Sequence, residues 1–381
     1  MEFTAHPAGG QAVGHRDCLH LDEEVRMLPK RWVSTLAGAC CAIAAHSANA
    51  ALTFDPFVTS AELIGAVGNN AAIGFSFAGN KFVGSIYFNN QLYQTDLAGN
   101  NATKFGAPLP IASGNAGEIY VSSSLGLGGF ASRSVFAGSQ NLGTVWTYAN
   151  SATTATAATE FVTGLVGGVR SIAFDPYGNY GGDMIVATFA GRIYRVNSSG
   201  VATQIAALGV DTEGLDFTPQ AFGNIPAGTL VVLSEGDGRV RAIDPTGGIT
   251  DLGLLFNTPE MISFVPLNFD QTLDPLAGFY AARYPTEVVK SSASDFAAYL
   301  GQAIVTEETT HDIYAISWDG NKFVKTFIGD FGGQPEDGIF VTSAILNPCD
   351  RPDACKAPEP SSLALIGFGI FGLVAARRRW R

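Results

Sequence analysis

The sequence predicts an all-β protein, a β-propeller of five or six blades over residues 51–345, with a processing segment at each end. Two observations predict the propeller. Charged residues make up only 15% of the chain while Gly reaches 45, a mix that suits short strands joined by tight turns. A unit with a period in the mid-forties recurs through the body, and each copy reads as several short strands. A third observation concerns the termini, which read as apolar segments beside basic residues and account for two pieces of chain outside the repeats.

From the N-terminus, residues 1–26 are polar and fit no export signal, which points to Met27 as the true start. After it come Lys30 and Arg31, an apolar run from Trp32 to Ala45, and Ala48-Asn49-Ala50 with small residues at alternate positions. That is the layout of a secretory signal peptide cleaved after Ala50. A lipoprotein signal at Cys40 is the weaker alternative, because Ala37 stands where a larger aliphatic residue is usual.

The repeats follow. SIAFDPYGNYGGDMIVATFAGRIYRVNSSG from Ser171, GLDFTPQAFGNIPAGTLVVLSEGDGRVRAIDPTG from Gly214 and ISFVPLNFDQTLDPLAGFYAARYPTEVVKSS from Ile262 align, with Phe174, Phe217 and Phe264 separated by 43 and 47 residues. The second half of the unit recurs from Lys81, Ser132 and Gly301, with Asn89-Asn90, Ala190-Gly191 and Asp237-Gly238 as hairpin turns. A degenerate sixth copy is expected near Gly278 to Lys290, residues 291–300 read as an insertion, and the strand from Glu336 has no hairpin after it. That strand is expected to close the ring against the first blade. A pair of packed sheets in a β-sandwich is the structural competitor.

For chemistry, residues 51–360 hold a single histidine, His311, within ETTHDIY. Sites with two or three His ligands are excluded, no G-x-S-x-G elbow or phosphate-binding loop is present, and His311 reads as a turn residue. The acidic set is more informative. Glu118, Glu213, Glu260 and Glu336 each precede an expected inner strand, and Arg170 holds the same place in VRSIAF. At one mouth of a propeller these carboxylates, with Asp337, offer oxygen ligands for a hard cation such as Ca2+. The alternative is that each accepts backbone hydrogen bonds or pairs with Arg170. DPYGNYGGD (residues 175–183) reads equally as an acidic Ca2+ loop or as a Gly-rich connection. The stretch from Thr212 to Gly247 is also similar to blades of lactonase-like and phytase-like propellers, in which Glu-Gly before an inner strand is common. That resemblance implies a Ca2+-dependent hydrolase.

Beyond the body, NPCDRPDACKAPEP forms a Pro-rich linker over 346–360. Its Cys349 and Cys355 either close a small disulfide in an oxidising compartment or stay as exposed thiols. The chain ends in Pro358-Glu359-Pro360, an apolar run of 14 residues from Leu363 to Ala376, and Arg377, Arg378 and Arg379. As a single hydrophobic helix that run spans about 21 Å, short of the roughly 30 Å bilayer core. The triplet, the short run and the basic end over 358–381 resemble the PEP-CTERM sorting signal of exosortase substrates. The resemblance implies export across the inner membrane, transient anchoring, cleavage near the triplet, and a destination at the cell surface or in the extracellular matrix. An uncleaved single-span anchor is the alternative.

Residues 51–360 carry 14 Lys/Arg against 29 Asp/Glu. Such a surface repels phosphate backbones, which argues against nucleic-acid partners. The expectation is a binding or structural protein of the surface or matrix. Its partner is expected to be a polysaccharide or surface protein, met in part through aromatic and Asn side chains at blade turns. A Ca2+-dependent hydrolase stands as the alternative.

Overall fold

The computed structural model describes residues 52–343. The expectations for Ala50, the Cys349/Cys355 pair, the Pro358-Glu359-Pro360 triplet and the terminal arginines lie outside the described residues.

The described chain begins with β1 (Asp55–Val58) and a short helix, α1 (Ser60–Val67). Thr59 caps α1 in a reciprocal arrangement with Glu62, and Gly68 ends it at φ 81°. Four blades then follow in sequence. They are β2 (Ala72–Phe77), β3 (Phe82–Ile86), β4 (Asn89–Thr95) and β5 (Thr103–Phe105); β6 (Ile119–Ser123), β7 (Val135–Ser139), β8 (Val145–Tyr148) and β9 (Thr159–Val162); β10 (Val169–Phe174), β11 (Met184–Thr188), β12 (Arg192–Val196) and β13 (Ala202–Ala207); and β14 (Gly214–Phe217), β15 (Leu230–Ser234), β16 (Arg239–Ile243) and β17 (Ile249–Leu255). Every pairing within them is antiparallel.

The last two blades are interleaved. β18 (Pro259–Phe264) is followed by the hairpin β19 (Gly278–Tyr284) and β20 (Glu287–Ser292), then by β21 (Ala303–Glu307), β22 (Asp312–Trp318), β23 (Phe323–Asp330) and β24 (Gln334–Val341). The fifth blade has the order β18-β21-β22-β23, and the sixth β24-β19-β20-β1. The ring is therefore closed by a blade whose outermost strand comes from the start of the described chain and whose innermost comes from its end. Inner strands β2, β6, β10, β14, β18 and β24 each touch the next, and β24 returns to β2. The architecture is a six-bladed propeller, and the sandwich alternative falls with that ring.

Burial explains why the middle strands do not alternate. β3, β7, β11, β15 and β21 are buried at every residue, because each blade packs on both faces. The buried apolar side chains divide into six clusters, one at each contact between neighbouring blades. Val83, Leu92 and Phe105 of the first blade meet Ile119 and Val121 of the second in one of these, and Met261 and Ile304 of the fifth meet Phe279 and Phe340 of the sixth in another. Outer strands such as β17 alternate exposed and buried residues in the ordinary way.

Four sequence expectations are corrected or refined. The Ile262 repeat is not one blade. Phe264 pairs with Ala303 of β21, and the hairpin that follows Phe264 in sequence belongs to the closing blade. The degenerate sixth copy expected near Gly278 to Lys290 is that same hairpin, which forms the two middle strands of the sixth blade. The strand from Glu336 does pack beside β2, but its hydrogen bonds go to β19. Finally, the turn before β4 is made by Tyr87 and Phe88, with Phe88 at φ 52°, while Asn89 and Asn90 already belong to the strand. The turns at Ala190-Gly191 and Asp237-Gly238 stand as read, with both glycines at positive φ. The insertion at 291–300 is a tight helical turn whose Phe296 packs on Phe279 and Phe340.

Candidate functional site

The starts of the inner strands share one end of the ring, and the hairpin turns between second and third strands reach the same end. This follows from antiparallel order, because a second strand ends where the first began. Arg170, the second residue of β10, lies at its centre and is 6% exposed. Its guanidinium pairs with Glu118, with Glu213, with Asp211 at 3.1 Å and with Glu235 at 2.5 Å. It also donates to Gln140 at 3.2 Å and to the Tyr120 hydroxyl at 2.9 Å. Tyr120 OH in turn lies within hydrogen-bonding reach of Glu118 Oε2, at 2.6 Å, and of Glu213.

The other two predicted glutamates stand beside this hub. Glu260 and Glu336 hydrogen-bond through their carboxyls, and Gln334 donates to Glu336 at 2.9 Å and to Glu308 at 2.7 Å. Glu213, Glu260 and Glu336 are 4%, 6% and 3% exposed. Burial first, and the neighbouring carboxyls second, push all three well above the ordinary carboxylate range. Asp211 is raised by burial to about 6. Burial alone would lower the Arg170 guanidinium, but Glu213, Tyr120, Glu118 and Asp211 hold it above its usual value.

The four predicted glutamates thus come to one mouth. Sequence reasoning missed Tyr120, Asp211, Glu235 and Glu308, which join them. Asp337 is placed differently: its carboxyl accepts from the backbone N–H of Phe75 on β2 at 3.2 Å, and Asp216 does the same to Phe264 on β18 at 2.6 Å. Each is a tie between adjacent inner strands. Both border the interior of the ring, and burial raises Asp216 to about 6 and Asp337 to about 7. Among the described residues no group of three or more His, Cys, Asp or Glu side chains is disposed to hold a metal ion. His311 lies in the turn between β21 and β22, at φ 62°. In DPYGNYGGD, Asp175 accepts from four backbone N–H groups, those of Tyr177, Gly178, Tyr180 and Gly182. Asp183 pairs with Arg195 at 2.6 Å. The loop is therefore organised by its own backbone.

An axial cavity of about 340 Å³ runs between the inner strands. Arg170, Glu213 and Glu260 border it at the acidic end. Its walls carry Phe174, Phe217 and Phe264, the three residues that anchor the sequence repeat. Pro176, Pro219 and Pro266, two positions later in each copy, border its other end. Gly214 lets the walls close up, since a Cβ there would stand 2.8 Å from the Ile262 nitrogen. A Glu-Gly pair at this point therefore serves packing as well as charge.

Residues 356–379 match the PEP-CTERM protein-sorting motif. The chain carries an exosortase sorting signal. The motif implies export, membrane-associated sorting and exosortase processing. It lies outside the described residues, among which no helix is long and apolar enough to cross a membrane. No curated protein matches the chain. Several solved structures are similar to it at low identity. One, from a nidogen/laminin complex, is 13% identical, with 72% of this chain and 87% of that chain covered and a TM-score of 0.49. A streptogramin B lyase is 13% identical, over 74% and 88% of the two chains, with a TM-score of 0.44. An auxiliary nutrient binding protein from Bacteroides thetaiotaomicron is 10% identical, over 68% and 57%, with a TM-score of 0.44.

Proposed function

We propose that this is an exported, exosortase-processed propeller that serves the cell surface or extracellular matrix as a binding protein, and that it takes its ligand into the axial cavity. The cavity carries the reading: about 340 Å³, aromatic on its walls and charged at one end, it has the size and lining of a small-ligand site. Its partner is a surface or matrix component, a polysaccharide or a protein, that presents a compact group to the proline end. The Ca2+-dependent hydrolase reading asks Glu118, Glu213, Glu260 and Glu336 to converge on a cation. Arg170 and Tyr120 already engage two of the four, which favours binding over hydrolysis.

Processing and binding are tested separately. Mass spectrometry of the exported form is expected to find an N-terminus at Ala51 and no peptide containing Phe368; an intact tail contradicts the sorting half. A glycan array probed with the protein is expected to give Ca2+-independent binding that is lost in Ser171→Phe, which fills the cavity from its wall. Binding that needs Ca2+ would favour the hydrolase reading instead.

A further inference from the structure

The acidic end of the cavity holds more negative groups than its guanidinium engages. Glu118, Asp211, Glu213 and Glu235 lie directly on Arg170. Glu260 does not: it borders the cavity, is 94% buried by its 6% exposure, and its hydrogen-bonding partner is another acid, Glu336. Two buried carboxyls in contact retain a proton between them unless a cation replaces it. Next to them stand the apolar walls of Phe217, Met261, Ile262 and Phe264. The ligating oxygens do not converge in a set of three that suits a metal.

From this juxtaposition, and resting on the cavity-binding reading above, we infer that the site takes an organic ammonium, a protonated amine on a compact apolar or aromatic body. The ammonium N–H groups donate to Glu260, and the proton that Glu260 had shared with Glu336 leaves to solvent. The body lies against the phenylalanine walls, where ring faces also favour a cation. Glu260 is faced by Glu336, Arg170, Glu235, Glu118, Glu213 and the Tyr120 hydroxyl. Apart from Arg170 these are acids, so each unit of rising pH that strips the pair of its proton strengthens the site for a cation.

The probes are 2-phenylethylammonium, its neutral analogue 2-phenylethanol, and Ca2+, titrated calorimetrically into the purified full-length protein. The ammonium is expected to bind at least about tenfold more tightly than the alcohol, since a charge-assisted contact at a buried carboxylate contributes that much. Its affinity is expected to rise with pH as the pair loses its proton, with proton release seen as a dependence of the heat on buffer ionisation. Glu260→Gln, checked for folding by its melting transition, is expected to cut the preference to about threefold or less. Ser171→Phe is expected to abolish binding of both probes.

Equal affinity for ammonium and alcohol would overturn the inference while leaving a cavity that binds ligands. A preference that survives in Glu260→Gln would overturn the placement of the amine. Ca2+ that displaces the ammonium and itself raises the melting temperature would make the site a metal site. Binding of neither probe, with glycan-array binding unchanged in Ser171→Phe, would remove the cavity reading itself.

Discussion

Arg170 is one guanidinium against four carboxylates in contact with it, and removing it leaves buried acidic groups with no cation beside them. Arg170→Met is therefore expected to destabilise the fold by about 3–5 kcal/mol, the range for breaking a buried ion pair from one side. Urea denaturation measures it, and a loss below about 1 kcal/mol would mean the carboxyls take up protons at little cost. Asp337 gives a pH test with a definite sign. Its pKa goes from the ordinary 3.8 to about 7 because burial favours the protonated form. The folded state then binds more protons than the unfolded across that window, so stability is full below 3.8 and is lost as pH rises through about 7. Glu213, Glu260 and Glu336 are raised too and act in the same direction. Stability is expected to be higher at about pH 5 than at about pH 8, and Asp337→Asn to flatten part of that slope. Glu118, Glu213, Glu260 and Glu336 were legible because each stands at or beside the start of an inner strand. Asp211, Glu235 and Glu308 were not, since Asp211 comes from the connection before β14 and Glu235 and Glu308 from the hairpins after β15 and β21, which reach the mouth only once each blade has formed. Tyr120 reads in sequence as an ordinary strand aromatic, and only the convergence of β6 and β10 gives its hydroxyl a role.

At the scale of single elements, the inner strands approach one another closely where glycine allows it. Gly214→Ala is expected to cost about 1–3 kcal/mol, because the new Cβ would meet the Ile262 nitrogen at 2.8 Å and that backbone cannot turn aside. The connection between β20 and β21 is a packed element, since Phe296 is fully buried against Phe279 and Phe340. Phe296→Ala is expected to cost about 3–5 kcal/mol, checked by denaturant midpoint at constant slope. The repeat was legible through Phe174, Phe217 and Phe264 because blade-on-blade packing imposes the same residue at the same depth. The exchange of hairpins between the fifth and sixth blades was not. Phe264 is followed by two apolar hairpins in turn, β19–β20 and β21–β22, and local pattern cannot say which of them pairs with it. The identity of the partner strand is settled by closure of the ring, a long-range condition that no short window contains.

The whole molecule joins an address to a shape. The terminal motif implies where the protein goes, and the six-bladed ring supplies a central cavity whose walls repeat the same phenylalanine. Ring closure places strands from the start and end of the described chain in one sheet, so a processing cut near Pro358 falls beyond β24 and leaves the last blade complete. The measurement that bears most directly on this account is retention of the exported protein by the matrix of the producing cells, compared between the wild type and Ser171→Phe. Both are expected to be exported and trimmed alike, and the wild type to be held by the matrix while the filled-cavity variant passes into the medium. Equal retention of the two, with folding and processing unchanged, would contradict the claim that this propeller binds through its axial cavity.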